Sequence, residues 1–274
     1  MADRINGIPI IDDSTPDGDF LRRDVAYGLV PRDYSVDPIE LFAPPDDMEV
    51  YPESDWDALW EEQVEQKSSL RDIWERADNG KQPANLYQNG DPFCWSHSTT
   101  NAVMVARAVA NMPYEPLSAY MVACLAANYQ RRGGWCGQSA KLIAEIGVCS
   151  QKFWAQQNRS KQNDTPEMRA NAARHRITEE WRDLTRPIHG QKMTFAQVAT
   201  CGFNRQPQAL DFNWWGHSVC GMGVYRIERG SWGTLILNSH GERDGDKGFH
   251  ILRGSRARPD GAIAIRTITE AGAA

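Results

Sequence analysis

The stretch LYQNGDPFCWSHSTTNAVM, residues Leu86 to Met104, decides how this chain is read. A turn rich in Asn, Gly, Asp and Pro gives way to a helical pattern, and Cys94 stands at the junction. Asp91 can cap that helix and Pro92 suits its first position, so Cys94 is predicted inside the first turn. Unpaired backbone N–H groups and the positive end of the helix dipole favour a thiolate there. A thiol at a helix start is either a small buried apolar group or a tuned nucleophile. A nucleophile also needs a base, a group that orients the base, and donors for an oxyanion.

The chain has a candidate for each need. His217 lies in DFNWWGHSVCGMGVY, at the entrance to an apolar strand, and Asn238 in GTLILNSHGERDGDKGFHI, at the end of the next. Antiparallel neighbours joined by a turn bring these two together. Gln88, six residues before Cys94, can set its side-chain N–H beside the Cys94 backbone N–H.

Around this core of motifs the chain divides into helices first and strands later. Helical patterns run from Cys94 to about Met112, through LSAYMVACLAANY, through QSAKLIAEIGV to Gly147, and through TPEMRANAARHRITEEWRDL, with Thr165 as cap and Pro166 in the first turn. A shorter one starts at Thr194. From Pro207 onward come QALDF, HSVCGMGVYRI, GTLILNS, GFHILR and AIAIRTI, short strands between turns. That order predicts an α+β fold of two segregated halves, with His217, Asn238, Gln88 and Cys94 where the halves meet. Ahead of it, SDWDALWEEQVEQKSSLRDIWERA places Trp56, Leu59, Trp60, Val64, Leu70, Ile73 and Trp74 at helical spacing. Residues 1–53 are rich in Asp and Pro, without periodicity, and are read as an extended acidic arm. The expected division is therefore an arm over 1–53, a helical linker packed on the body over 54–79, and the main domain over 80–274.

Composition narrows the function classes. No apolar run approaches the ~18 residues of a membrane span, and no basic start precedes an apolar block as in a signal peptide. A cytoplasmic setting with reduced thiols is expected for the six cysteines, which show no CxxC pairing. No His or Cys pair has zinc-ligand spacing, and RDGDKG (243–248) lacks the distal glutamate of a calcium loop, so it is read as a hairpin turn. No metal or cofactor is expected. Basic residues are scattered, which argues against nucleic acid as a partner. The net charge of −6 is unevenly spread: residues 1–65 hold 18 of 36 acids but four of 30 basic residues, a balance of −14, against +8 for the rest.

Taken jointly, these motifs resemble the papain-like cysteine peptidases, the family of papain and the cathepsins. Gln88, Cys94 and Trp95 match the family's Gln followed six residues on by Cys-Trp, and Ser98 fits the small and hydroxyl residues that follow. GGWCGQSAKLIAEIGV, Gly133 to Val148, matches its Gly-Gly segment before a helix; GHSVCGMGV, NSHG and KGFHIL match the later motifs. The resemblance covers roughly residues 80–267 and implies a two-lobed papain-like fold with a cleft between a helical lobe and a sheet lobe. It implies hydrolysis of a polypeptide substrate by a Cys94–His217–Asn238 triad with Gln88 as oxyanion donor. It also implies that Gly133 and Gly134 meet an extended substrate backbone, with Trp135 and Cys136 beginning a wall of the pocket for the side chain two before the cleaved bond. Ser218 is expected to line the cleft beside them. Two departures carry expectations. The family's tryptophan after Asn-Ser is His240 here, so Trp214, Trp215 or Trp232 is expected to shield the histidine. The family's disulfide positions hold Asp91 and Arg131, where a salt bridge is expected.

Fold does not by itself prove catalysis. The alternative is a docking component of a large assembly, such as a virion or phage particle, with the arm as tether to a protein partner. The arm's charge also predicts a third role, lying across the basic body and covering the cleft as a propeptide would.

Overall fold

The computed structural model describes residues 3–33, 49–177, 181–184 and 194–265. Its sheet is built from β1 (Arg4–Ile5), β2 (Ile8–Ile11), β3 (Trp181–Asp183), β4 (Gln208–Phe212), β5 (His217–Glu228), β6 (Ser231–Leu237), β7 (Phe249–Leu252) and β8 (Gly261–Ile265), in the spatial order β1-β2-β7-β6-β5-β4-β8-β3. Among the paired strands described, only β2 and β7 run parallel. The long β5 is buried from His217 to Tyr225, as expected for a strand covered on both faces.

The helices are α1 (Asp17–Phe20), α2 (Trp56–Gln66), α3 (Leu70–Trp74), α4 (Cys94–Val109), α5 (Ala119–Ala126), α6 (Cys136–Ile146), α7 (Pro166–Ala172) and α8 (Phe195–Phe203). Every residue of α4 from Cys94 to Arg107 is buried, because the helix is enclosed by α5 and α6 on one side and by β4 and β5 on the other. Two of its hydroxyls bond to the neighbouring helices: Ser96 Oγ donates to the Ala119 carbonyl at 2.6 Å, and Thr99 and Ser139 share a 2.6 Å hydroxyl contact. Helical and sheet lobes thus meet along α4, and the α+β papain-like architecture is observed.

Several local expectations are corrected. Asp91 does not cap α4; the N-cap position is Phe93, without a side-chain cap bond. The Asp91 carboxylate instead takes the Tyr120 hydroxyl at 2.9 Å and Arg131 Nε at 2.7 Å. That ion pair is the one anticipated at the family's disulfide positions, and none of the six cysteines is in a disulfide. Adding reductant should therefore leave the melting temperature unchanged, checked by thermal denaturation with and without dithiothreitol. The polar stretch after Thr165 is not one long helix: α7 ends at Ala172 and Trp181–Asp183 joins the sheet edge against β8, where pairing overrides helical propensity. The linker breaks into α2 and α3 at Lys67, which adopts a left-handed conformation, and Trp56, Leu70 and Trp74 pack into the core.

The acidic front segment departs most from expectation. Residues 34–48 lie outside the described residues, but 3–33 are not a free arm. Ile8, Ile10 and Ile11 are buried, β2 pairs with β7, and the Arg253 N–H donates to the Ile11 carbonyl at 2.9 Å. Asp12 is held by Ser14 and Thr15, and Phe20 packs edge-on to Trp214 and Trp215. The four-residue strand Ile8–Ile11 covers a sheet edge, which a reading by helical or alternating period does not reveal.

Candidate active site

Two short backbone pairings bring the predicted residues together. Tyr87 bridges His240 antiparallel, with the Gln88 N–H donating to the Ser239 carbonyl at 3.0 Å and the Gly241 N–H to the Leu86 carbonyl at 3.1 Å. This ties the turn before α4 to the loop after β6. Across the sheet, β5 starts at His217 and pairs with β6, whose chain continues into Asn238.

His217 Nε2 lies 2.8 Å from Asn238 Oδ1, fully buried. The Trp215 ring stands edge-on to His217 at 4.8 Å, and His240 packs at 4.8 Å on a tilt of 31°. Of the three tryptophans considered, Trp215 is therefore the shield; Trp214 stacks on Trp215 and Trp232 packs with Trp56 elsewhere. Ser239 links the two amides of the site. Its N–H donates to Asn238 Oδ1 at 2.9 Å and its hydroxyl to Gln88 Oε1 at 2.7 Å, which turns Gln88 Nε2 toward the cleft. Nothing in the sequence around Ser239 signals this linking role.

The cleft is occupied by the chain's own front segment. The Gly28 N–H points at Cys94 Sγ at 3.4 Å, and Gln88 Nε2 donates to the Ala26 carbonyl at 2.7 Å. The Gly134 N–H donates to the Gly28 carbonyl at 3.0 Å, and the Val30 N–H to the Gly134 carbonyl at 2.9 Å, a parallel bridge centred on Leu29. Tyr27 sets its ring edge-on against His217 at 5.2 Å and His240 at 5.8 Å. Consecutive residues 27 and 28 thus touch the imidazole and the sulfur. The fit leaves no slack: a Cβ on Gly28 would sit 2.1 Å from the Pro92 oxygen, and one on Gly133 2.4 Å from the Gly28 oxygen.

The remaining predicted residues divide. Gly133 and Gly134 border the strap, and Trp135 carries the Arg32 guanidinium 4.3 Å above its ring. Cys136 faces away, its N–H on Asp211 Oδ2 at 3.2 Å and its sulfur toward the Ala209 carbonyl. Ser218 also donates to Asp211 Oδ1.

Electrostatics correct the expected thiolate. Burial pushes the Cys94 thiol up to about 11, against smaller opposing bonds from Ser218 and Gly28. Burial likewise pushes His217 down to about 4, opposed by Asn238 and by the charge of Asp244. In the closed site both groups are neutral at pH 7, and His217 Nδ1 makes no hydrogen bond among the described residues. The helix-start effect, worth about 0.3–1 kcal/mol at an exposed end, is outweighed by desolvation under the strap. Among the described residues no cluster of acids, histidines or cysteines could hold a metal, and no helix is long and apolar enough to cross a membrane.

Neither the protein-family models nor the curated proteins contain a match. Solved structures do. Xylellain, a cysteine protease from Xylella fastidiosa, superposes with TM-score 0.62 at 13% identity, over 91% of this chain and 98% of that one. Digestive procathepsin L2 proteinase from Tenebrio molitor larval midgut gives 0.62 at 18% identity, over 94% and 81%. Digestive procathepsin L 3 from the same source gives 0.54 at 16%, over 68% of this chain and 66% of its own length, so this chain spans about two thirds of that proform. With the helical and sheet lobes meeting along α4, the chain has the fold of the papain-like cysteine proteases.

Proposed function

We propose that this chain is a thiol-dependent peptidase held shut by its own residues 26–30. The observation that carries the reading is that a polypeptide main chain already lies in the cleft, with a carbonyl on Gln88 Nε2 and a backbone N–H on Cys94 Sγ. In the open enzyme Cys94 gives its proton to His217 Nδ1 and attacks a peptide carbonyl. Gln88 Nε2 and the Cys94 N–H hold the resulting oxyanion. His217 then protonates the leaving amine while Asn238 holds its ring, and water hydrolyses the acyl-enzyme. Gly134 supplies main-chain bonds to the extended substrate.

The direction of the strap supports inhibition rather than turnover. The resemblance puts the acyl side of a substrate on the Gly134 side of Cys94, so residues N-terminal to the reacting carbonyl belong at Gly134. Here the carbonyl on Gln88 is that of Ala26, while the residues at Gly134 are 28–30, C-terminal to it. The strap runs opposite to a substrate and is not set for cleavage. Similarity to two procathepsins, both proforms by name, agrees with an inhibitory front segment.

The oxyanion role has its own test. Gln88→Ala should lower kcat by roughly 10²- to 10³-fold with little change in KM, because one preorganised donor contributes ~3–4 kcal/mol in the transition state. Steady-state kinetics on a fluorogenic peptide checks it, and an unaltered kcat would remove Gln88 from the mechanism.

A further inference from the structure

Behind Asn238, on the side away from His217, lies a carboxylate that the proposed triad does not use. Asp244 Oδ2 accepts from Asn238 Nδ2 at 2.9 Å and from His250 Nε2 at 2.8 Å. It is largely buried, with 12% side-chain exposure. His240 Nδ1 lies 3.0 Å from Asn238 Nδ2 and 4.0 Å from Asp244 Oδ2. Burial opposes ionisation of Asp244, yet the His250 bond and the neighbouring histidines hold it down at about 2, so it is a carboxylate throughout the working range.

An ionised carboxylate can only accept hydrogen bonds. It therefore requires the NH2 end of Asn238 to face it, which turns Oδ1 toward His217. With Oδ1 as acceptor, His217 must carry its proton on Nε2, and Nδ1 is left with its lone pair free, the state a base for Cys94 needs. The Ser239 N–H on Oδ1 favours the same amide orientation but adds no charge. We infer that Asp244 is a positioning residue for the Cys94–His217 chemistry, fixing the polarity of Asn238 and supplying through it the negative charge that favours an imidazolium at His217. The inference rests on the peptidase reading above. Here Asn238 relays a buried anion, a job that the sequence Asn-Ser-His-Gly does not disclose.

The charged and titratable groups around this relay come from every element packed on it. Arg22 from the front segment lies near Asp244 and donates to the His240 carbonyl at 2.9 Å. His250 comes from β7, His97 from α4 and Tyr27 from the strap, while Cys94 faces the cleft side. His240 Nδ1, 3.0 Å from Asn238 Nδ2, can accept a second hydrogen bond from the same amide but brings no negative charge, which Asp244 alone supplies there.

The test uses Asp244→Asn, which keeps shape and an acceptor oxygen but removes the charge, in full-length protein whose strap is displaced by Gly28→Ala. The rate of Cys94 alkylation by iodoacetamide is followed from pH 4 to 11. A thiolate–imidazolium pair gives a neutral-pH shoulder, and Asp244→Asn should lower that shoulder about tenfold, the equivalent of one pH unit in His217 basicity. Above pH 10, where the thiolate forms without help, the rate should match the parent. Peptide kcat should fall with the shoulder while KM stays constant. An unmoved shoulder, or an equal loss at all pH values, overturns the assignment. If the Gly28→Ala parent shows no shoulder, the reading of a peptidase guarded by its own strap fails instead. Asp244 is then decided by NMR of ¹⁵N-histidine-labelled wild-type chain: the His217 Nε2–H proton should shift upfield in Asp244→Asn, and an unchanged resonance counts against the relay.

Discussion

Gly28→Ala in the full-length chain is expected to raise both Cys94 alkylation and peptide turnover at neutral pH by roughly thirtyfold. The added methyl would meet the Pro92 oxygen at 2.1 Å and its carbonyl carbon at 2.4 Å, both backbone atoms. Those atoms cannot withdraw easily, because the adjoining Phe93 and Cys94 are fully buried at the start of α4. The strap, with Val30 half exposed, gives way instead. Overpacking of this kind costs about 2 kcal/mol, which is the thirtyfold shift toward the open cleft. The wild type supplies the contrast. Its thiol stands at about 11, so alkylation should be slow at pH 7 and climb only as pH rises through that value. Acid works the other way on the imidazole. His217 sits at about 4 against 6.5 in water, so burial of the neutral ring stabilises the closed form above pH 6.5, and this contribution fades as pH falls toward 4. Tyr27→Ala, which removes the ring against His217 and His240, should give a smaller rise of the same sign. Wild-type reactivity in both variants would mean that the strap does not guard the sulfur.

The second large effect is loss. In the Gly28→Ala background, His217→Ala should lower peptide turnover by several orders of magnitude, and Cys94→Ser by a similar factor. Combining the two should cost little more than either alone, since in the proposed mechanism nucleophile and base act as one unit. The alkylation profile separates their roles: His217→Ala should abolish the neutral-pH shoulder and leave an ordinary thiol titration. Circular dichroism and the melting transition establish that the variants fold. Turnover that survives His217→Ala would assign the base elsewhere, with His97 and His240 the nearest other imidazoles in the electrostatic neighbourhood.

What could be read in advance was whatever has a local signature. Thr165 and Pro166 open α7, Thr194 caps α8, and Gly147 ends α6, because caps and stops are decided within a few residues. The His217–Asn238 bond follows from strand adjacency, and the Asp91–Arg131 pair from two positions that the resemblance had already placed together. The misses are non-local. Nothing in IPII announces a strand that pairs with β7 more than two hundred residues later. Asp244 sits in a turn whose composition explains it fully, and only the fold turns its carboxylate toward Asn238 and His250. The neutral thiol is illegible for the same reason, since helix position is visible in sequence and burial by a distant glycine is not.

The pairing of β2 with β7 determines how such an enzyme could be switched on. Ile10 and Ile11 are annealed beside Ile251 and Leu252, only sixteen positions ahead of Tyr27, so a displaced strap remains tethered next to the groove it vacated. Re-closure is then a unimolecular event governed by local concentration, and dilution cannot activate the protein. Turning it on for good calls for cutting the tether or for a competitor that outlasts each brief opening.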